Sequence, residues 1–418
     1  MSASKFIRPV VVACTALLLV SVTLAAPLKV AVIEALSGPQ ASTGLSYRNA
    51  TRYAIDRLNT AGGWNGEKID LIEYDNQGGP TGAADKLKAA IADGAQFIVS
   101  GSSSAVGGQL TDDIRKYNIR NPGKEVVLLN LGAEANELTG EKCHFHNFRF
   151  SSNAQIRIKA LVGAMKKDGV IGTRVYSINQ NYSWGQDTEN AIVEYASVGG
   201  YKVIEKTLHD VNKIQDFSPY VSKIVAANVD TVITGNWSND LLLLMKATKA
   251  SGLKARFGTT FLDQPGNLAN AGDAATGHYI AHLFNAEAGG KEGEQFAEDY
   301  KAKTGRYPAF IEGQAVQGML MFGEALKSVK AQSNNLNVNA WALALENTKF
   351  KTPMGELRMR AADHQALVPV VVSVVSNDAK YKVDGTALGF KPIMVLTGEQ
   401  AATPVPAACK MQRPTQTP

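Results

Sequence analysis

The sequence predicts an α/β fold built from two doubly wound parallel-sheet lobes in tandem. Three observations point there. Short, continuously apolar runs recur through the first two thirds of the chain, as strands buried on both faces must. Segments of roughly 10–15 residues with helical spacing of their apolar positions separate them. The strand–helix alternation also starts afresh near the middle, so each half has the size of one domain.

The first array opens with the apolar strand Leu28–Ile33 and a Ser/Gly/Pro loop, Ser37–Gly44. A helix is predicted from about Ser46 to Thr60, with Ala50, Tyr53, Ala54, Arg57 and Leu58 at helical spacing, stopped by Ala61-Gly62-Gly63. Strand Lys68–Tyr74, helix Gly82–Ala92, strand Gln96–Ser100, helix Val106–Tyr117 and strand Glu125–Leu129 follow. The second array starts after Phe148-Arg149-Phe150 with a helix over Ala154–Lys167 and a strand over Arg174–Ile178. It continues as helix Gln186–Ser197, strand Lys202–Lys206, helix Phe217–Ala227, strand Thr231–Thr234, helix Asp240–Ser251 and strand Arg256–Thr259. The last third is less regular. Helices over Glu294–Thr304 and Gly313–Val329 precede shorter strands, among them Glu356–Met359 and the apolar run Leu367–Val375.

The N-terminus has the layout of a cleaved secretory signal. Lys5 and Arg8 precede an apolar run from Val10 to Val22, and Thr23 and Ala25 stand at −3 and −1 of a cleavage site before Ala26. The run is shorter than the ~20 apolar residues of a membrane span, and too little apolar chain precedes Cys14 for a lipidation motif. Removing residues 1–25 takes away two bases and no acid, lowering the formal charge from +5 to +3. That near balance, without a dense Lys/Arg run, argues against nucleic acid as a partner. The remaining cysteines, Cys143 and Cys409, are expected to form one disulfide in an oxidising compartment, the alternative being two buried or free thiols.

Ligands of open parallel sheets sit beyond the carboxyl ends of the strands, which directs attention to the strand-to-helix loops. One carries Gly101-Ser102-Ser103-Ser104-Ala105 directly before a helix. Hydroxyls and unpaired N–H groups at a helix N-terminus can seat a carboxylate; N-capping alone would also explain the serines. Loops 179–185 and 235–239 carry Tyr182, Trp184 and Trp237, which can close over an apolar ligand or pack lobe against lobe. Enzyme signatures are missing: there is no Gly-x-Ser-x-Gly elbow, Walker loop or Gly-x-Gly-x-x-Gly turn. His278 and His282 stand at i, i+4 in a strand-like context, and Cys143, His144 and His146 are three crowded groups without a second cluster. No metal, cofactor or catalytic activity is therefore expected.

Taken together, these segments resemble the leucine/isoleucine/valine-binding proteins, type I periplasmic binding proteins. The resemblance runs through Ser37-Gly38-Pro39, the 56–63 helix end, Tyr74-Asp75-Asn76, Ile98–Ser104 and Ala135–Thr139. It continues through Tyr182-Ser-Trp-Gly185, Ala250–Lys254, Asp363-His364-Gln365 and Cys409–Pro414. It implies two lobes joined by a three-crossing hinge, residues 26–148 plus 283–362 and residues 149–282 plus 363–418. It also implies a periplasmic monomer, not an enzyme, that captures a branched-chain or other amino acid, or a related small carboxylate, for an ABC permease and its ATPase. A sensor feeding a signalling receptor, or transport of an aromatic acid or amide, are the alternatives. By position, Ser104 or Ser103 would hold the ligand carboxylate, and the backbone of Gly132 and Ala133 would complete the site. Tyr182, Trp184 and Trp237 would close over it, and Asp263 would take the ligand ammonium. The departure is Glu134, where relatives for branched-chain amino acids commonly carry a threonine that contacts the ligand; a glutamate there would repel a carboxylate unless it faces an ammonium or points away.

Overall fold

The computed structural model describes residues 27–330 and 336–414; the signal-sequence reading lies outside them. The first array runs β1 (Lys29–Glu34), α1 (Ala41–Thr60), β2 (Asp70–Asp75), α2 (Pro80–Ala92), β3 (Phe97–Ser100), α3 (Ser104–Arg120), β4 (Val127–Asn130) and β5 (Asn147–Arg149). Residues of β1 alternate between two cores: Val30 and Val32 face one side and Ala31 and Ile33 the other. That is why the strand reads as continuously apolar. Helix α1 stops where Gly62 and Gly63 take φ of +107° and +65°, a left-handed turn that suits glycine.

The second array comprises α4 (Ala154–Lys167), β6 (Arg174–Gln180), α5 (Ser183–Glu194), α6 (Ala196–Gly199), β7 (Lys202–His209), α7 (Ser218–Ala226), β8 (Thr231–Thr234), α8 (Ser238–Ser251), β9 (Arg256–Thr259), α9 (Asn267–Ala271) and β10 (Tyr279–His282). Then come α10 (Gly290–Thr304), α11 (Phe310–Lys327), α12 (Val338–Asn347), β11 (Lys349–Thr352), β12 (Gly355–Arg360), β13 (Gln365–Leu367), β14 (Val370–Ser376), β15 (Gly389–Leu396) and α13 (Gly398–Ala401).

Among the described residues the strands form two sheets, β11-β12-β13-β5-β4-β3-β1-β2 and β15-β14-β10-β9-β8-β6-β7. Both have parallel cores, but neither is wholly parallel: β11, β12 and β13 pair antiparallel, and so do β10, β14 and β15. The edges β11-β12-β13 and β14-β15 are short hairpins with no helix between consecutive strands, whereas β10 and β14 are neighbours in the sheet with α10, α11 and α12 between them in the chain. The chain passes between the sheets three times: after β5, after β10, and between β13 and β14. The apolar run Leu367–Val375 is thus two strands in two lobes, parted at Val368-Pro369, where proline cannot continue a ladder. Strand pairing puts the third crossing after Leu367 rather than at 363.

Helices α10 and α11 return to the first lobe. Phe296 and Tyr300 of α10 pack on Tyr53 of α1, and Trp341 of α12 packs on Phe97 and Phe148. The C-terminal tail also ends on this lobe, not the second. Cys409 is joined to Cys143 by a disulfide across 266 residues of sequence, and Arg413 grips Glu346 of α12.

Candidate ligand site between the lobes

The carboxyl ends of both sheets face a small cavity. The first lobe contributes Thr43, Tyr47, Gly101, Ser102, Ser104 and Gly132. Tyr182, Trp184, Trp237, Phe261 and Gln264 come from the second. Two bonds bridge the lobes near it: Ser238 Oγ donates to Pro39 O at 3.1 Å, and Asn136 N to Asp187 Oδ2 at 2.7 Å. The lobes are therefore closed on the cavity.

The polar end lies at the start of α3. Ser103 is the N-cap residue but its side chain makes no capping bond, so the first N–H groups of the helix have no side-chain partner from it. The Ser104 hydroxyl accepts from Ala135 N at 3.1 Å, which leaves its own proton to donate. Ser102 is committed elsewhere: its hydroxyl and N–H, with Gly101 N, donate to Glu34 at the end of β1. Glu34 is fully buried, and burial pushes its pKa up to about 7 against the pull of those donors. Two further polar groups on the cavity wall, Thr43 Oγ1 and Gln264 Nε2, are buried without a hydrogen-bond partner among the described residues.

The apolar end is aromatic. Trp237 Nε1 donates to Tyr182 Oη at 2.7 Å, and Trp184 Nε1 to Gly235 O at 2.8 Å, so both indoles are fixed within the second lobe. Trp184 lies in the first turn of α5 and Trp237 directly precedes α8, rather than both sitting in free loops. Tyr47 enters from α1, and burial raises its phenol pKa, with Glu134 and Glu34 adding to the effect. Its approach requires glycine at two positions. A Cβ on Gly132 would lie 1.7 Å from Tyr47 Oη, and one on Gly101 2.7 Å from the ring.

Several expected residues stand elsewhere. Ser103 and Ala133 do not line the cavity; the N–H groups of Gly132 and Ala133 are both taken by Asn130 Oδ1, at 3.1 and 2.7 Å. Glu134 points away from the cavity. Its carboxylate takes the hydroxyls of Ser151 and Ser152 and pairs with Arg157 at 2.8 Å, both side chains being buried. Arg157, on α4, also donates to Thr260 O and Ala281 O and lies over the rings of Phe261 and Phe310 at 5.0 and 4.5 Å. This geometry removes the repulsion that a free glutamate would bring. Asp263 misses the cavity too, because its Oδ2 accepts from His282 Nδ1 at 3.0 Å and from Phe310 N at 3.1 Å on the hinge side.

Thr43, Tyr47, Phe261 and Gln264 were not anticipated. Thr43 stands in the first turn of α1, within the stretch that the sequence reads as the first strand-end loop, a usable signal, whereas Tyr47 lies one turn further on, where its spacing resembles core. Among the described residues no group of three His, Cys, Asp or Glu side chains is placed to hold a metal ion. No helix there is long and apolar enough to cross a membrane.

Residues 27–380 match the family model described as periplasmic binding protein. The chain belongs to the periplasmic binding proteins. It is 61% identical to the Leu/Ile/Val-binding protein homolog 4 of Brucella abortus, over 96% of this chain and 97% of that one. A crystal structure of the leucine-, isoleucine-, valine-, threonine- and alanine-binding protein from Brucella ovis, in a closed conformation, is 62% identical. It superposes with a TM-score of 0.88 over 93% of this chain and all of its own. A solute-binding protein from Rhodopseudomonas palustris bound to 3,4-dihydroxybenzoic acid, 20% identical with a TM-score of 0.76 over 89% of this chain and 98% of that one, shares the fold.

Proposed function

We propose that this periplasmic binding protein is the extracytoplasmic solute-binding component of an ABC importer, and that it captures a small amino acid with an apolar side chain by closure of its lobes. The observation that carries the reading is the small interlobe cavity, in which an uncapped helix N-terminus and the Ser104 hydroxyl face an aromatic wall. The helix end and hydroxyl suit a carboxylate, and the rings of Tyr182, Trp184, Trp237 and Phe261 suit an apolar side chain. The names of the 61–62% identical Brucella relatives support amino acids over other solutes. Ser104 is assigned to the ligand carboxylate, and Tyr182 and Trp237 to closure. The partner is an ABC permease, driven by its ATPase and docked from the periplasm by a monomer exported through residues 1–25.

The test is thermal denaturation of the mature, refolded protein against a panel of amino acids, aromatic carboxylates, amides and dicarboxylates. A ligand at a hundred times its Kd stabilises the native state by about 2.7 kcal/mol. A raised midpoint with one or more aliphatic amino acids is expected. Hits confined to aromatic carboxylates would keep solute capture and remove the amino-acid assignment; no hit in the panel would overturn the reading.

A further inference from the structure

A second cavity, of about 360 Å³, lies on the hinge side, between residues 301–310 of the first lobe and residues 381–390 of the second. Its walls are aromatic: Phe284, Phe310, Phe390, Tyr307 and Tyr381. Most of its charged and polar side chains are already engaged. Arg306 pairs with Glu312; Asp384 accepts from Gly266 N and Leu268 N at 2.8 and 2.9 Å. Lys382 donates to Ala379 O at 2.7 Å, and the Asn285 amide donates to Ser373 Oγ and to Phe390 O. Lys301 lies 4.2 Å over the face of Tyr307.

The exception is Asp263. Its side chain is only 6% exposed, its Oδ2 takes both His282 and Phe310 N, and its Oδ1 has no hydrogen-bond partner among the described residues. A buried carboxylate oxygen left without a donor is costly. Set among aromatic faces, it is complementary to an ammonium group, which gains from the carboxylate and from the rings at once.

We propose that this hinge-side cavity is a second binding site, for a small molecule carrying a primary or N-alkylated ammonium on an apolar body, with Asp263 as its anchor. The site is separate from the ligand cavity but backs onto it. Phe261 lines one and Phe310 the other, with their rings 5.6 Å apart. The Asp263–Phe310 bond joins the lobes at the crossing, so an amine on Asp263 acts at the hinge and biases closure.

Benzylamine is the probe, with benzyl alcohol and benzoate as controls of like shape, titrated into the refolded mature protein and followed by saturation-transfer NMR. Benzylamine is expected to bind at least tenfold more tightly than either control, Asp263→Asn to abolish that preference, and Trp237→Ala, which disables the ligand cavity, to retain it. Equal binding of amine and alcohol, a preference for benzoate, or loss of the preference in Trp237→Ala would overturn the proposal. Should Asp263→Asn fail to fold, Tyr381→Ala on the opposite wall is expected to weaken benzylamine at least threefold, and unchanged binding would overturn it equally.

Discussion

Replacing Glu134 by glutamine keeps the shape of the side chain and removes its charge. The side chains of the Glu134–Arg157 pair are 1% and 0% exposed, so water cannot compensate. Breaking a buried pair by removing one partner costs about 3–5 kcal/mol, mostly because the other charge stays buried alone. Arg157 would keep Thr260 O, Ala281 O and the Ser152 hydroxyl, which places Glu134→Gln near the lower end, about 3 kcal/mol. Arg157→Met alone strands the carboxylate with two serine hydroxyls and should cost a similar amount. Together, glutamine and methionine leave no buried charge, and methionine fits between Phe261 and Phe310. The double variant should therefore be more stable than the sum of the singles by about 2 kcal/mol or more. The assay is urea unfolding of all four proteins, read by fluorescence and circular dichroism, with ligand titration alongside. Because Glu134 and Arg157 belong to different lobes, ligand affinity should fall with the singles. A single variant within about 1 kcal/mol of the parent, or strict additivity in the double, would refute the reasoning.

Ser104→Ala should weaken ligand binding by about 1–3 kcal/mol, the loss of a hydroxyl from a buried carboxylate; calorimetry showing unchanged affinity would remove its role. Burial holds the pKa of His144 down to about 3 and that of His278 to about 4, below the usual 6.5. Their folded pKa values are depressed, so the unfolded chain binds the extra protons, and stability should fall as pH drops from 6.5 towards 4. Glu34, raised to about 7, acts oppositely: the folded state holds its proton more tightly, and stability should fall as pH rises from 4.5 to 7. Urea midpoints across pH for His278→Asn and Glu34→Gln should each lose the corresponding slope; a variant with the parent's slope would contradict its assignment. Reducing Cys143–Cys409, which closes a long loop, should destabilise the protein by about 2–4 kcal/mol in the same assay, and an unchanged midpoint after verified reduction would show the tail contributes nothing.

Strands buried on both faces were legible because their apolar runs are unbroken, and Thr231–Thr234 and Arg256–Thr259 appear where expected. Helix α12 and strand β15 were not foreseen: α12 packs its Trp341 into the first lobe's core, and β15 is an edge strand with half-exposed residues that breaks the apolar pattern. Ser104, Tyr182, Trp184 and Trp237, singled out from the sequence at strand-to-helix junctions, line the interlobe cavity. Tyr47 was hidden by helical spacing indistinguishable from core packing. Glu134 posed a charge problem whose answer, Arg157, lies 23 residues on and meets it only through the tertiary fold. Asp263 carried the right chemistry but the wrong direction, since its neighbours Phe261 and Gln264 face the ligand cavity while it faces the hinge.

The two halves of the ligand site are each rigid on their own terms. In the first lobe, Asn130 holds the Gly132–Ala133 turn, Glu34 holds Gly101 and Ser102, and Ala135 N holds the Ser104 oxygen. In the second, Trp237 is tied to Tyr182, Trp184 to Gly235 O, and Gly235 N to Asn179. None of these bonds crosses the cleft, so opening the lobes leaves both walls of the cavity intact. The energy of closing lies elsewhere, in Asn136–Asp187, Ser238–Pro39 and Glu134–Arg157, all of which join the lobes without lining the cavity through the atoms that bond. Residues that line the cavity and residues that bond across the lobes are therefore largely separate. The glutamate at position 134 fits this division: with Arg157 opposite, it joins the lobes and its carboxylate is turned away from the cavity that Ser104 and the aromatic wall line.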